Sequence, residues 1–262
     1  MAKLSIDKII EYLNPAKKCI VPIFVKRQYS INYELLGTAT YLESDNSQYL
    51  VTARHVFNEY KDQELLIPIT DNKIGIIPTN IYSGITEQDI VDIAFCRLEE
   101  KLMLFSPIHV NQCNSLQYSK SILSIFGYPS TKTRSRSKIV ESGLFCYLTS
   151  IENDEKRWLG KIDKRVNYLC KFDQEDSYDI DNKRATFPKP NGISGGGLFE
   201  IILDKDGNPI SFALIGIVTE WDSVRKKDIK ATKIGIILSA IKQKYFDESI
   251  KNEIIYDYKY EE

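Results

Sequence analysis

Short β-prone runs, separated by turn-forming residues, occupy nearly the whole chain, and no element of this kind can bury a core alone. Runs read as strands occur at Cys19–Val25, Leu35–Leu42, Tyr49–Ala53, Leu65–Ile69, Ile74–Ile77 and Ile90–Leu98. A second series follows at Ser121–Phe126, Lys138–Thr149, Val166–Phe172, Gly197–Leu203 and Ile210–Trp221, with Lys233–Ile237 closing it. Asp71-Asn72-Lys73 and Asp204-Lys205-Asp206-Gly207-Asn208 carry hairpin-turn chemistry between such runs. Two series with a break near Ser106–Leu116 predict an all-β chain of two antiparallel barrels packed together. Helical periodicity is confined to the ends. Leu4, Ile6, Ile9, Ile10 and Leu13 mark a short amphipathic helix that Pro15 should stop, and another is expected over Ser239–Ile250, ahead of an acidic, tyrosine-rich tail. The expected division is a helical extension at 1–16, a first barrel at 17–110, a second at 111–240, and a helix with tail at 241–262.

Three phrases carry chemistry. In Asn191-Gly192-Ile193-Ser194-Gly195-Gly196-Gly197 a serine stands among glycines that let the chain turn sharply and leave the hydroxyl open to approach. Backbone amides in such a turn, at Gly192 and Ser194, can hold an oxyanion. In Tyr49-Leu50-Val51-Thr52-Ala53-Arg54-His55 an apolar run ends at a histidine, and in Asp92-Ile93-Ala94-Phe95 an aspartate opens another. A serine nucleophile needs a base, and the base needs a carboxylate to fix its tautomer. Asp89 competes with Asp92 for that role; Asp92, directly before the apolar run, is favoured. Ser194 alone could also be an ordinary turn serine. The chain has two histidines, and the second, His109, lies in Ser106-Pro107-Ile108-His109 without a comparable setting.

Together these phrases resemble the trypsin/chymotrypsin-like serine peptidases. Thr52-Ala53-Arg54-His55 is similar to the family's Thr-Ala-Ala-His, Asp92-Ile93-Ala94 to its Asp-Ile-Ala, and Gly192-Ile193-Ser194-Gly195-Gly196 to its Gly-x-Ser-Gly-Gly. Gly37-Thr38-Ala39-Thr40-Tyr41 and Ile215-Gly216-Ile217-Val218-Thr219 resemble the strands before the histidine and after the serine. The resemblance implies two six-stranded chymotrypsin-like barrels and a catalytic triad of His55, Asp92 and Ser194. It also implies an oxyanion hole at the Gly192 and Ser194 amides and a cleft edge at Thr219, Glu220 and Trp221. Ile234-Gly235-Ile236 would line the opposite wall of the primary pocket, with its floor near Pro188-Lys189-Pro190. The chain departs from the family at Ile193, where digestive members carry an aspartate, and at Gly197, where proline is usual. Without that aspartate and without an Ile-Val-Gly-Gly-like start, activation by N-terminal trimming is not expected. The site should be preformed, as in many bacterial members, or switched by a protein partner.

With 262 residues, 43% of them hydrophobic, the chain can bury a substantial core, and its net charge of −1 exerts no global pull on nucleic acid or anionic membranes. The basic run at Lys132, Arg134, Arg136 and Lys138 reads as a solvated loop, and the charged stretch Glu152–Lys189 as an insertion bordering the cleft. Five scattered cysteines, with no Cys-x-x-Cys and no leader-like apolar segment, suggest reduced core thiols in a cytosolic protein. No metal or cofactor is expected, because no histidine or cysteine has a second ligand at ligand spacing. The expected activity is a serine endopeptidase acting on protein or peptide substrates. The alternatives are a silent scaffold of the same fold that binds a partner peptide, or an esterase.

Overall fold

The strands form where β-branched and aromatic residues succeed one another and both faces find cover. The structure, a computed structural model, describes residues 6–26, 32–58, 63–70, 73–78, 81–83, 90–114, 116, 122–136, 139–173, 177–179, 181, 183–186 and 189–246. The first sheet contains β1 (Ile20–Lys26), β2 (Tyr33–Ser44), β3 (Ser47–Thr52), β4 (Leu65–Thr70), β5 (Lys73–Ile76), β6 (Tyr82–Ser83), β7 (Ala94–Leu98) and β8 (Ile108–His109). Its order is β5-β4-β1-β2-β3-β7-β6, with β8 beside β2. A separate hairpin pairs β10 (Thr133–Arg136) with β11 (Ile139–Ser142). The second sheet contains β9 (Ile122–Gly127), β12 (Phe145–Thr149), β13 (Asn167–Lys171), β14 (Ser177–Tyr178), β15 (Gly197–Leu203), β16 (Pro209–Trp221) and β17 (Asp228–Lys233), in the order β13-β17-β16-β15-β9-β12-β14. Setting aside the two-residue strands β6, β8 and β14, each sheet has six strands, and those six pair antiparallel, as a pair of barrels requires.

Local chemistry explains the connections. Asp45 and Asn46 join β2 to β3 with φ of 48° and 60°, the type I′ geometry whose twist suits adjacent antiparallel strands. Between β15 and β16 the Asp204 carboxylate accepts from the amides of Asp206 (2.9 Å) and Asn208 (2.7 Å). Those bonds, the Asn208 amide first, hold its pKa below the usual carboxylate value. Asp71 and Asn72, the other expected turn, lie outside the described residues, but the flanking β4 and β5 do pair. The run Lys138–Thr149 is not one strand: β11 ends at Ser142 and β12 starts at Phe145.

The two sheets share a core. Tyr41, Leu50 and Phe95 of the first join Phe126, Phe199 and Leu214 of the second in one buried cluster, while Leu123, Ile125, Tyr147, Ile215 and Ile229 fill the second sheet's own interior. At the N-terminus α1 (Ile6–Tyr12) and α2 (Asn14–Lys17) bury Ile9, Ile10, Leu13 and Ala16. Pro15 does not stop the helical region; it sits in the first turn of α2, where a missing N–H costs no hydrogen bond. Tyr12 reaches β16, donating to the Ile210 carbonyl at 2.6 Å and meeting the Phe212 ring edge-on.

The C-terminal helix α4 spans Ile234–Phe246, so the strand expected at Lys233–Ile237 is corrected to the end of β17 followed by helix. Ile234, Ile237 and Ile241 are all buried, and that helical spacing outweighs the strand preference of an isoleucine-rich run. Residues 247–250 of the expected helix lie outside the described residues. Among the described residues, no helix is long and apolar enough to cross a membrane.

Candidate active site

His55 does not end a strand. After β3 the chain turns at Ala53 into α3 (Arg54–Asn58), which places the imidazole in a first helical turn. The opening amides of a helix lack partners of their own, and here one distant residue supplies them. The Arg54 amide donates to the Asp92 carbonyl at 3.2 Å, and the His55 amide donates to Asp92 Oδ1 at 3.1 Å. The other carboxylate oxygen, Oδ2, lies 2.6 Å from His55 Nδ1. An ionised carboxylate only accepts, so this contact puts the proton on Nδ1 and leaves the Nε2 lone pair of the neutral ring uncommitted to Asp92. Asp92 is sheltered, with its side chain 15% exposed, while His55 is 41% exposed. Arg54 Nε stands 3.8 Å from Asp92 Oδ1, a cation whose place beside the carboxylate no contiguous phrase of the sequence signals. Asp92 lies in the non-strand segment before β7, two residues later in the chain than the start expected for that strand. Asp89 lies outside the described residues.

The Ser194 loop is held by shape. Gly192 and Gly195 both have φ of +93°, and a Cβ on Gly195 would fall 1.8 Å from the Thr38 carbonyl oxygen. No side chain fits there, which is why glycine follows the serine. The loop is also laced to β2: Thr38 N donates to the Ser194 carbonyl (2.9 Å), Thr38 Oγ1 to the Gly192 carbonyl (2.7 Å) and Thr40 Oγ1 to the Gly195 carbonyl (3.0 Å). Two further bonds tie it to β16, from Gly195 N to the Val218 carbonyl (2.7 Å) and from Val218 N to the Gly196 carbonyl (2.8 Å). Ile193 is 1% exposed and packs among the second sheet's core residues, against the backbone of Gly127. Where the digestive members of the resembling family carry an aspartate, this chain anchors the loop by apolar burial, worth about 1.5–3 kcal/mol for such a side chain. Among the described residues, neither the Gly192 nor the Ser194 amide donates a hydrogen bond.

Gly37 marks where the two halves meet. A Cβ placed there would lie 2.9 Å from the Val56 side chain, next to His55, and 3.3 Å from the Ser194 carbonyl oxygen. The Val56 side chain and the Ser194 carbonyl therefore approach the same face of β2, into the space that a side chain on residue 37 would fill. Gly197, the second departure, belongs to β15 and pairs with Ile217; Phe199 occupies the space a side chain there would need, 2.5 Å away. It is a packing glycine one residue before the register shift of β15 at Leu198/Phe199.

The residues expected at the cleft edge differ from one another. Thr219 is buried, and its hydroxyl donates to the Lys230 carbonyl at 3.3 Å, at the register shift of β16 between Val218 and Glu220. Glu220 is exposed but ion-paired to Lys230 at 2.7 Å. Trp221 is half-buried, edge-on to Phe172 with centroids 6.2 Å apart. Ile234-Gly235-Ile236 open α4, with Ile234 buried in the shared core, so the segment expected to line the opposite pocket wall is helical and not strand. Pro188 lies outside the described residues; Lys189 is exposed, and the Pro190 carbonyl accepts from Ile193 N at 3.1 Å. Lys230 was missed because β17 was placed several residues late, although the alternation Ile229-Lys230-Ala231-Thr232 was there to be read. Burial pushes the thiols of Cys96, Cys146 and Cys170 up to about 12, which makes them poor nucleophiles.

No protein-family model matches the sequence, and no curated protein matches it. Solved structures do. The serine endoprotease from Yersinia pestis aligns with a TM-score of 0.53 at 12% identity, covering 94% of this chain and 69% of that one. The MamO protease domain from Magnetospirillum magneticum aligns with a TM-score of 0.48 at 13% identity, covering 87% of this chain and 97% of that one. The paired six-stranded sheets and the first of these likenesses establish that this chain has the chymotrypsin-like fold of the trypsin-like serine peptidases.

Proposed function

We propose that the protein is a serine endopeptidase that hydrolyses peptide bonds through an acyl-enzyme. The observation that carries this reading is the His55 ring, held at Nδ1 by Asp92, with its neighbour Val56 meeting the same glycine of β2, Gly37, as a serine loop with two uncommitted amides. In the first half-reaction His55 Nε2 takes the Ser194 Oγ proton as Oγ attacks the substrate carbonyl carbon. The carbonyl oxygen gains negative charge, which the Gly192 and Ser194 amides receive. The imidazolium, stabilised by Asp92, then passes its proton to the leaving amine as the C–N bond breaks. Water, deprotonated by the same nitrogen, releases the acyl group. Beyond Ile217 strand β16 has β17 on one side and, among the described residues, no strand on the other. That open edge at Thr219–Trp221 suits a substrate backbone added as a further strand. A protein or peptide substrate and a cytosolic location belong to the same proposal.

Labelling with a fluorophosphonate tests it. The wild-type protein should label at Ser194, while Ser194→Ala and His55→Ala should not label. Turnover of peptides found by mass spectrometry of digested cell proteins should fall by about 10⁵-fold or more in Ser194→Ala. Absence of labelling in wild type under all conditions would leave a binding scaffold as the function, and ester cleavage without peptide cleavage would leave an esterase.

A further inference from the structure

The strand that passes the nucleophile loop carries a charge that is already spoken for. β16 touches the loop at Val218 and runs on through Thr219, Glu220 and Trp221, with Glu220 directly opposite Lys230 of β17. Lys230 Nζ lies 2.7 Å from Glu220 Oε2, and the lysine side chain is only 3% exposed against 51% for the glutamate. The same ammonium stands 3.5 Å from the Lys161 carbonyl and 5.6 Å from the centre of the Trp158 ring. Trp158 is itself buried, and Gly160 lets the chain close over it, since a Cβ there would lie 2.8 Å from the indole nitrogen. Lys230 is therefore boxed in on several sides. A buried ammonium must keep its counter-charge, because leaving it uncompensated is far costlier than losing an exposed pair.

We propose that Lys230 is a specificity-determining residue that silences Glu220 as an acidic recognition group on the cleft edge. This deepens the peptidase reading and rests on it. A substrate cation drawn to Glu220 meets the field of the ammonium directly behind the carboxylate, so attraction and repulsion nearly cancel. The edge then accepts a neutral side chain beside Glu220 and does not select lysine or arginine, even though of this pair it is the carboxylate that faces solvent.

Binding tests this without requiring cleavage. Immobilised Ser194→Ala protein and its Lys230→Met derivative are each offered a randomised peptide library, and retained peptides are sequenced. Ser194→Ala should show no enrichment of Lys or Arg, and adding Lys230→Met should raise that enrichment about fivefold, the scale of one partly exposed charge pair. Adding Glu220→Gln should cancel the gain. If Lys230→Met does not fold, as thermal unfolding will show, Glu220→Gln alone carries the test: the bared ammonium should enrich Asp and Glu about fivefold. The proposal is overturned by strong Lys/Arg enrichment in the Ser194→Ala parent, by unchanged profiles in the variants, by a gain that survives Glu220→Gln, or by retention of no peptide at all. Fluorophosphonate labelling of the Ser194 protein separately reports whether the peptidase reading itself stands.

Discussion

The histidine corner of the first sheet and the serine loop of the second are held by different physics. At His55 the geometry depends on one carboxylate, which accepts from a helix amide and a ring nitrogen at once. At Ser194 it depends on space: two glycines at φ +93°, a buried isoleucine and a lacing of backbone bonds. Charge holds the proposed base and shape holds the proposed nucleophile. Substitutions should therefore remove chemistry at the first site while sparing the fold, and damage the fold at the second.

Of the substitutions that separate charge from shape, Asp92→Asn gives the largest effect. An amide NH₂ facing His55 Nδ1 forces the proton to Nε2, so the ring can no longer act as base, and peptidase kcat/KM should fall by about 10⁴ with little change in thermal midpoint. Unfolding of this variant would break the comparison, since the carboxylate would then be holding more than the ring. Next comes Gly195→Ala, whose methyl would collide with the Thr38 carbonyl in a backbone conformation that L-residues rarely adopt. Urea denaturation should show a loss of about 3 kcal/mol or more, and a change under 1 kcal/mol would mean the loop is not held by shape. Ile193→Ala leaves a cavity under the loop and should cost about 2–4 kcal/mol in the same measurement, with fluorophosphonate labelling slowed in proportion to how far the loop sags.

The smallest effect calibrates the others. Arg165 binds Asp163 on the surface at 2.6 Å, and that hydrogen bond holds the Asp163 pKa below the usual carboxylate value. A depressed folded-state pKa adds stability above the unfolded carboxylate pKa, about 3.9, and that stability is lost as pH falls through the folded value. Arg165→Ala should therefore lower stability at pH 7 by less than about 1 kcal/mol, because the arginine is exposed. The difference from wild type should shrink as pH falls below the unfolded carboxylate value. A larger loss would show that charge contributes to this fold well beyond the histidine corner.

The sequence itself settled what is local. Gly-x-Ser-Gly-Gly, the histidine after an apolar run and the aspartate before one were readable because each is a contiguous phrase with its own chemical reason. The two series of strands were readable from the short apolar runs between turns. Strand ends and partners were not. Ile234-Gly235-Ile236 reads as strand, and the burial of Ile234, Ile237 and Ile241 at helical spacing makes it helix. The role of Asp92 as cap for a helix 37 residues away, of Arg54 beside it, and of Lys230 beneath Glu220 came only with the fold. These are contacts between segments far apart in the chain, and a charge's partner depends on which strand lies next to it, something that neither periodicity nor spacing encodes.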